Sequence, residues 1–310
     1  MSTVTVSRPL RSTASPSPRT SGDGHRQRLA ELLRRPRYEV LPLPGTAELV
    51  QEHVPTTLPV TVTASPRRGL EPTLALTEAL ITRGFRVVPH LAARLVRDEQ
   101  HLADILGRLH DGCVQEVFVV AGDGNVPVGD FTDSLQLLIA IERHCQSGSS
   151  PHLTSVGVTG YPEGHPLVSD DELSSALLAK QPLSSYVVTQ MCFDAGAVDQ
   201  WVGQARERGW QLPVHVGVAG AVDPIKLLRV AGRIGVGSSL GFLRKHHGGA
   251  KLLRPGGYRA DDLISELAAD AVPPGRRVAG LHVYTFGDVA ATERWRRELL
   301  DRLGDGDGDG

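Results

Sequence analysis

Two carboxylates, two imidazoles and an amide occur where they could act together on one small polar molecule. Glu39 lies inside an otherwise apolar stretch, and Asp123 lies in a glycine-flanked turn that follows another. His90, His165 and Gln190 come at or after the ends of three further stretches. A carboxyl group in apolar surroundings can donate a proton near neutral pH, and an amide offers a donor and an acceptor together. The set predicts a site that binds and protonates a polar heterocycle.

Each of these residues also has a purely structural interpretation. An unpaired buried carboxylate is costly, which favours a functional role for Glu39. Asp123 is equally suited to stabilising its turn, as aspartate often does. His90 and His165 are suited to hydrogen bonds with the scaffold, and Gln190 to contacts with neighbouring loops. These alternatives stay open on the residues alone.

Eight short β-rich runs alternate with helical patterns, which is typical of βα units around a parallel sheet. The predicted strands cover residues 38–42, 59–63, 86–89, 116–121, 155–159, 186–190, 214–218 and 281–285. The predicted helices cover 70–83, 98–109, 133–144, 171–180, 197–208 and 223–231, several opening on an aspartate suited to be the N-cap. No glycine-rich phosphate loop follows the first run, which disfavours an open doubly wound sheet. The sequence predicts an α/β fold, a (β/α)8 TIM barrel whose active-site face is the carboxyl end of the strands.

The two ends of the 310-residue chain differ in composition from its middle. Residues 1–35 are rich in Ser, Pro and Arg and are predicted to be a disordered arm. Residues 304–310 form a short Gly-Asp tail, also predicted to be disordered. A single barrel domain is expected over 36–303. Its long segment 223–280 is expected to be either functional or disordered.

Composition excludes several classes of protein. The formal net charge is -2, from 33 basic and 35 acidic residues, so we expect no nucleic-acid-binding surface. No apolar run approaches the roughly 18 residues of a membrane span, so no membrane partner is expected. Three cysteines are too few for a disulfide framework and favour the cytoplasm.

Motifs for metal, acyl-transfer and phosphate chemistry are also missing from the sequence. His246 and His247 are adjacent, so their rings point in different directions, and no metal site is predicted. There is neither a Gly-x-Ser-x-Gly elbow nor a Walker-type loop. Cys192 has no adjacent base and is interpreted as a buried hydrophobe, while Thr61 and Thr63 suit β-strands.

Seven sequence pieces, taken in order, resemble the methylenetetrahydrofolate reductase family, a group of barrel enzymes of one-carbon metabolism. Tyr-Pro-Glu-x-His-Pro and Thr-Gln-x-x-Phe-Asp are the most specific of them. The similarity spans roughly residues 37–300. The matching pieces are residues 38–42, 60–63, 89–91, 122–123, 161–166, 189–194 and 284–285.

The resemblance implies an enzyme that reduces 5,10-methylenetetrahydrofolate to 5-methyltetrahydrofolate with NADH or NADPH, a reaction of the CH-NH class. It implies that Glu39 is the general acid that protonates the departing folate nitrogen. Asp123 would stabilise the cationic iminium, and Asp123 and Gln190 would contact the folate. The expected cofactor contacts are Thr63, His90, Gly122, Asp123, Tyr161, His165, Lys180 and Tyr284.

The resemblance also implies FAD, as in a flavoprotein, but three features depart from the family pattern, one of them a shorter segment between Lys180 and Gln190. Ala121 stands where an arginine commonly precedes the Gly-Asp pair, and the helix after His165 retains one basic match, Lys180. Fewer charge-assisted contacts weaken the binding of a diphosphate. Two routes therefore stay open, one through FAD and one in which the nicotinamide passes hydride directly.

Two other functions stay open on the sequence. One is a folate-binding or one-carbon carrier protein that performs no redox step and supports a methyltransferase. The other is a flavin oxidoreductase that acts on a different amine. The sequence leaves a homo-oligomer open as well.

Overall fold

Eight parallel strands close into a barrel in chain order. The structure is a computed structural model that describes residues 21–64, 67–122, 126–147, 153–223, 225, 260–269 and 271–304. The strands are β1 Arg37–Val40, β2 Val60–Val62, β3 Val87–Ala92, β4 Glu116–Val120, β5 Ser155–Gly160, β6 Tyr186–Met191, β7 Val214–Ala219 and β8 Gly280–Tyr284. The predicted TIM barrel and all eight predicted strands are confirmed.

Helices of the described residues flank these strands. They are α1 Ser21–Arg34, α2 Thr46–His53, α3 Glu71–Thr82, α4 Glu99–Asp111, α5 Ser134–Gln146, α6 Asp170–Lys180, α7 Ala195–Glu207, α8 Asp261–Leu267 and α9 Val289–Gly304. The helix predicted over 223–231 falls largely outside the described residues, as do His246 and His247. None of the described helices has the length and apolar character needed to cross a bilayer.

Aspartate caps begin two of the predicted helices. The carboxylate of Asp98 accepts a hydrogen bond from the backbone N–H of His101, and Asp133 caps α5 in the same way. The prediction is wrong for α6, where Ser169 is the N-cap and forms a capping box with Glu172. A serine hydroxyl and a glutamate three residues later satisfy two free N–H groups reciprocally, so this pair replaces the aspartate.

The predicted disordered arm is wrong over residues 21–35, because α1 occupies most of them. Leu33 is 1% exposed, so α1 contributes to the core. The Arg26 and Arg28 side chains donate to the backbone carbonyls of Leu303 and Ala268, at 2.7 and 2.9 Å. The apolar face of α1, which carries leucines, thus packs against α8 and α9. The average composition of residues 1–35 does not reveal this face. Residues 1–20 and 305–310 lie outside the described residues.

Among the described residues, buried side chains cluster on both faces of the sheet, as expected for strands covered on both faces. One large cluster of buried residues fills the space between the sheet and the helices. A smaller cluster inside the barrel is formed by Val88, Phe118, Tyr186 and Val188. Residues two apart on a strand share a face, so His90 on β3 follows Val88 into the barrel interior.

The amino-terminal end of the barrel is closed by a buried charged cluster. Glu116 is 2% exposed and accepts hydrogen bonds from Arg37 and Arg86. The Arg37 guanidinium also lies 4.3 Å from the centre of the Tyr186 ring. These contacts occupy the amino-terminal end, whereas the active sites of TIM-barrel enzymes lie at the carboxyl end of the strands.

Candidate active site

Three inward-facing side chains meet inside the barrel toward its open end. Glu39 projects from β1, His90 from β3 and His282 from β8. The His282 Nε2 lies 3.0 Å from Glu39 Oε2, and the His90 Nε2 lies 3.7 Å from the same oxygen. The Glu39 side chain retains 15% of its exposure, whereas both imidazoles are buried. A partly exposed carboxyl group therefore lies beside two buried rings.

Burial controls the protonation of this cluster. Loss of hydration raises the pKa of Glu39 above its ordinary value, although His90 acts in the opposite direction. Burial also lowers the pKa of His90 to about 4 and that of His282 to about 3. Both rings are consequently neutral at physiological pH, and their contacts with Glu39 are not ion pairs. The carboxyl group gains no full positive charge from them, which favours its protonated form.

Glu39, His90 and His282 also offer three ligand atoms within 4.8 Å of one another, which could hold a divalent metal ion. The sequence motifs do not reveal this arrangement, because the residues come from three distant strands. A histidine that binds a metal through Nε2 carries its proton on Nδ1 and usually donates it to a second partner. The buried Nδ1 of His282 has no such partner in the described part of the chain. The surroundings of His282 therefore do not suit a metal ligand, and we derive no chemistry from a metal.

Tyr284 lies beside the cluster on β8. Its hydroxyl donates to the backbone carbonyl of Thr189 at 3.2 Å, and its ring centre is 5.0 Å from that of His282. Gly217 on β7 makes room for the ring, because a Cβ there would come within 2.8 Å of a Tyr284 ring carbon. Tyr284 is thus held inside the barrel beside His282.

Gln190 lies at an irregularity of β6. The pairing with β7 shifts register between Val188 and Met191, and such a bulge re-aims the side chain it contains. The Met191 backbone N–H donates to Gln190 Oε1 at 3.0 Å. This bond orients the amide and leaves its NH₂ group as the part able to donate to a ligand.

The β5–α6 loop carries Tyr161 and His165, whose rings meet edge to face at 5.2 Å. It also carries Glu163, whose importance the sequence reasoning missed. Glu163 Oε1 accepts the backbone N–H of Phe193 at 3.0 Å, which ties this loop to the loop after β6. Burial raises the pKa of Glu163 to about 7. Its place in the most specific family motif was the available signal.

Two further predicted cofactor contacts, Thr63 and Gly122, lie on the same βα side of the barrel. Gly122, just after β4, has φ 93°, a conformation that favours glycine. The Thr63 N–H donates to the Val40 carbonyl at 3.1 Å, so this residue extends β2.

Lys180 is not brought to this side, because it is the last residue of α6. The side chain of the next residue, Gln181, donates to the Gly209 carbonyl and accepts the Gln211 N–H, just before β7. Burial lowers the pKa of Lys180. Asp123, the second predicted catalytic carboxylate, lies outside the described residues.

Cys192 is held as a buried thiol rather than as a reactive thiolate. It is 1% exposed, and its Sγ donates to the carbonyl of Gln190 at 3.0 Å. Burial raises the pKa of Cys192, which disfavours the thiolate that a nucleophile needs.

The described residues that the resemblance assigns to FAD supply few charged contacts to a flavin dinucleotide. Ala121 and Gly122 supply no charge to a diphosphate at the end of β4. The His90 ring packs 4.7 Å from Phe118 inside the barrel, and the Tyr284 hydroxyl is bound to Thr189. We therefore derive no step through FAD.

His282 is the other residue of the site that the sequence reasoning missed. It lies within a correctly predicted strand, but only the two residues at the strand's end were considered. His282 is two residues before Tyr284, so the period of two along a strand places both side chains on the inner face. That periodicity was the signal available in the sequence.

Two solved structures with a weak likeness to this chain share little of its sequence. Dihydropteroate synthase from Thermus thermophilus is 15% identical, with a TM-score of 0.43 and coverage of 89% of this chain and 95% of that one. Tryptophan synthase subunit alpha from Legionella pneumophila str. Paris is 10% identical, with a TM-score of 0.49 and coverage of 90% and 99%. Neither likeness bears on function.

Sequence comparison provides the family. The curated protein Methylenetetrahydrofolate reductase 2 of Saccharomyces cerevisiae (strain ATCC 204508 / S288c) is 26% identical over 207 residues, which is 63% of this chain and 32% of the yeast protein. The chain thus spans about a third of that relative's length. The family model described as Methylenetetrahydrofolate reductase matches residues 41–234, more than half of the chain. On this match, together with the closed barrel, the chain belongs to the methylenetetrahydrofolate reductase family.

Proposed function

We propose that this chain reduces 5,10-methylenetetrahydrofolate to 5-methyltetrahydrofolate at the carboxyl end of the barrel. Family membership supports a folate-related oxidoreductase. The observation that carries the more specific assignment is Glu39, a buried carboxyl group with a raised pKa between two neutral imidazoles. The raised pKa favours the protonated acid, which can donate its proton to a bound substrate.

Ring opening is the step that needs this proton. When the bond between the bridging methylene carbon and N10 breaks, N10 accepts the proton of Glu39 and the methylene becomes an iminium on N5. A hydride added to that carbon completes the methyl group. The reaction consumes one hydride and one proton, and the Glu39 carboxylate regains its proton from solvent before the next turnover.

Gln190 and Asp123 serve the same reaction in this proposal. The NH₂ group of Gln190, oriented through the Met191 N–H, donates to an acceptor on the pterin edge. Asp123 stabilises the cationic iminium as a fixed negative charge, a role that rests on the family resemblance alone.

We propose that the hydride comes directly from NADH or NADPH. A resident flavin must be bound tightly, but a co-substrate works at a KM of about 1 μM to 1 mM and needs fewer contacts. The lack of a charged side chain at Ala121 and Gly122 and the packing of His90 and Tyr284 inside the barrel favour the co-substrate. Purified protein should therefore lack the visible absorption bands of a flavin.

The test is NADH oxidation that depends strictly on added 5,10-methylenetetrahydrofolate. Glu39→Gln keeps the size of the side chain but removes the acid, so we expect turnover to fall by about 10²- to 10⁴-fold. Glu142→Gln, the same substitution on the exposed face of α5, is the matched control and should keep wild-type turnover. Unchanged turnover in Glu39→Gln would remove Glu39 from the mechanism.

Binding measurements separate this proposal from a carrier function. A reductase and a carrier should both bind the folate in calorimetry, but only a reductase oxidises NADH in its presence. Folate binding without any NADH oxidation or methyl product would favour the carrier over the proposed reaction.

A further inference from the structure

The two oxygens of the Glu39 carboxyl group are not equivalent in this site. Oε2 faces the Nε2 of His282 at 3.0 Å and the Nε2 of His90 at 3.7 Å. Only the first distance is that of a hydrogen bond. The described residues place no hydrogen-bond donor on Oε1. One oxygen is thus fixed by a ring, and the other is available to a molecule in the cavity.

We propose that His282 is a positioning residue: its Nε2–H donates to Glu39 Oε2, so that the proton transferred by Glu39 is held on Oε1. The polarity of this bond is a property of the folded protein itself. The consequence for proton transfer rests on the function proposed above.

The other nitrogen of the His282 ring supports this polarity. Nδ1 is buried and has no hydrogen-bond partner within the described ranges. If the ring carried its proton on Nδ1, a buried N–H donor would lack an acceptor, which is rare in proteins. If the proton is on Nε2, Nδ1 is an unpaired acceptor, which is better tolerated, and Nε2–H meets Oε2.

The ring keeps this single proton across physiological pH. Burial lowers the pKa of His282 to about 3, and the charge of Arg37 acts in the same direction. An imidazolium, which would donate from both nitrogens, is therefore not populated at neutral pH. Among the described residues, the other titratable groups that act on Glu39 or His282 are the neutral His90 on β3, the neutral His215 on β7 and the protonated Tyr284 on β8.

Two substitutions of His282 separate the hydrogen bond from the space that the ring fills. Glutamine can place an amide N–H near the original Nε2–H, whereas leucine fills space but donates nothing. In His282→Leu the carboxylate loses a hydrogen bond that favours its charged form, so the pKa of Glu39 should rise. The loss of such a bond corresponds to a shift of about one pH unit.

The first test determines which ring nitrogen of His282 carries the proton, by ¹⁵N NMR of the full-length protein labelled at histidine. The spectrum of His282→Gln identifies the signal of this ring. We expect the His282 ring to show a protonated Nε2 and an unprotonated Nδ1 from pH 6 to pH 8. A proton on Nδ1, which metal binding would also require, would overturn the proposal. This result does not depend on enzymatic activity, so it stands even if the proposed reaction fails.

The second test measures turnover against pH in the two variants. In His282→Leu we expect kcat to fall about tenfold or more with KM little changed, and the alkaline limb of kcat to move up by about one pH unit. His282→Gln should restore most of the turnover and the position of that limb. Equal losses in both variants with an unmoved limb would mean that His282 only supports the fold, which would overturn the positioning role.

Discussion

Replacing Glu163 with glutamine is expected to change how the stability of the protein depends on pH. This carboxyl group ties the loop after β5 to the loop after β6 by accepting the Phe193 N–H at 3.0 Å. Its other oxygen, Oε2, is buried without a partner among the described residues. Burial therefore favours the neutral acid and raises its pKa from 4.5 to about 7.

The sign and size of the effect follow from that shift. Because the pKa of Glu163 is higher in the folded than in the unfolded state, its contribution to stability is fully present below pH 4.5 and is lost as pH rises through about 7. At about 1.36 kcal/mol per pH unit, the whole effect is roughly 3 kcal/mol. About 2 kcal/mol of it falls between pH 5.5 and pH 8.

Glutamine cannot ionise, but its oxygen can still accept the Phe193 N–H. The free energy of unfolding of Glu163→Gln relative to wild type should consequently increase by about 2 kcal/mol from pH 5.5 to pH 8. Urea denaturation followed by the fluorescence of the buried Trp210 and Trp295 measures it. Glu142→Gln, on the exposed face of α5, should show no such trend. A difference between Glu163→Gln and wild type that is the same at both pH values would refute the reasoning.

Two further predictions concern the barrel interior. Glu116→Gln leaves Arg37 and Arg86 without their buried carboxylate, so the free energy of unfolding, measured by urea denaturation, should fall by about 3 to 5 kcal/mol. A fall of less than about 1 kcal/mol would contradict this prediction. Gly157→Ala should destabilise the protein by about 1 to 3 kcal/mol, because the new Cβ would lie 2.4 Å from the Tyr186 ring. Gly107→Ala, in α4 with nothing within 4 Å, should instead stabilise it by about 0.5 to 1 kcal/mol. Equal effects of the two alanines would show that the Tyr186 contact is unimportant.

The barrel was predictable because each strand is marked by its own short run of apolar residues. Runs such as Val117 to Val120 are apolar throughout, and a parallel strand buried on both faces needs no alternation. The prediction of a disordered arm was wrong over residues 21–35. The first 20 residues of the arm are rich in Ser, Pro and Arg, and averaging over 35 residues hid the leucines of α1.

The site was only partly predictable because it depends on burial and on distant contacts. Glu39 was identifiable as a charge within an apolar strand. The pairing of Glu39 with His282 joins residues 243 positions apart, and the raised pKa of Glu163 comes from tertiary burial. The bulge that aims Gln190 is likewise set by pairing with β7. Such features are specified by the closed barrel rather than by any local pattern.

The measurement that tests the central claim most directly is the fate of deuterium from reduced nicotinamide labelled at the transferred position. Purified protein is incubated with this donor and 5,10-methylenetetrahydrofolate, and the folate product is analysed by mass spectrometry. Direct transfer predicts 5-methyltetrahydrofolate with one deuterium in its methyl group for each nicotinamide oxidised. Deuterium lost to solvent would indicate an exchanging flavin carrier, and the absence of any methyl product would contradict the proposed reaction itself.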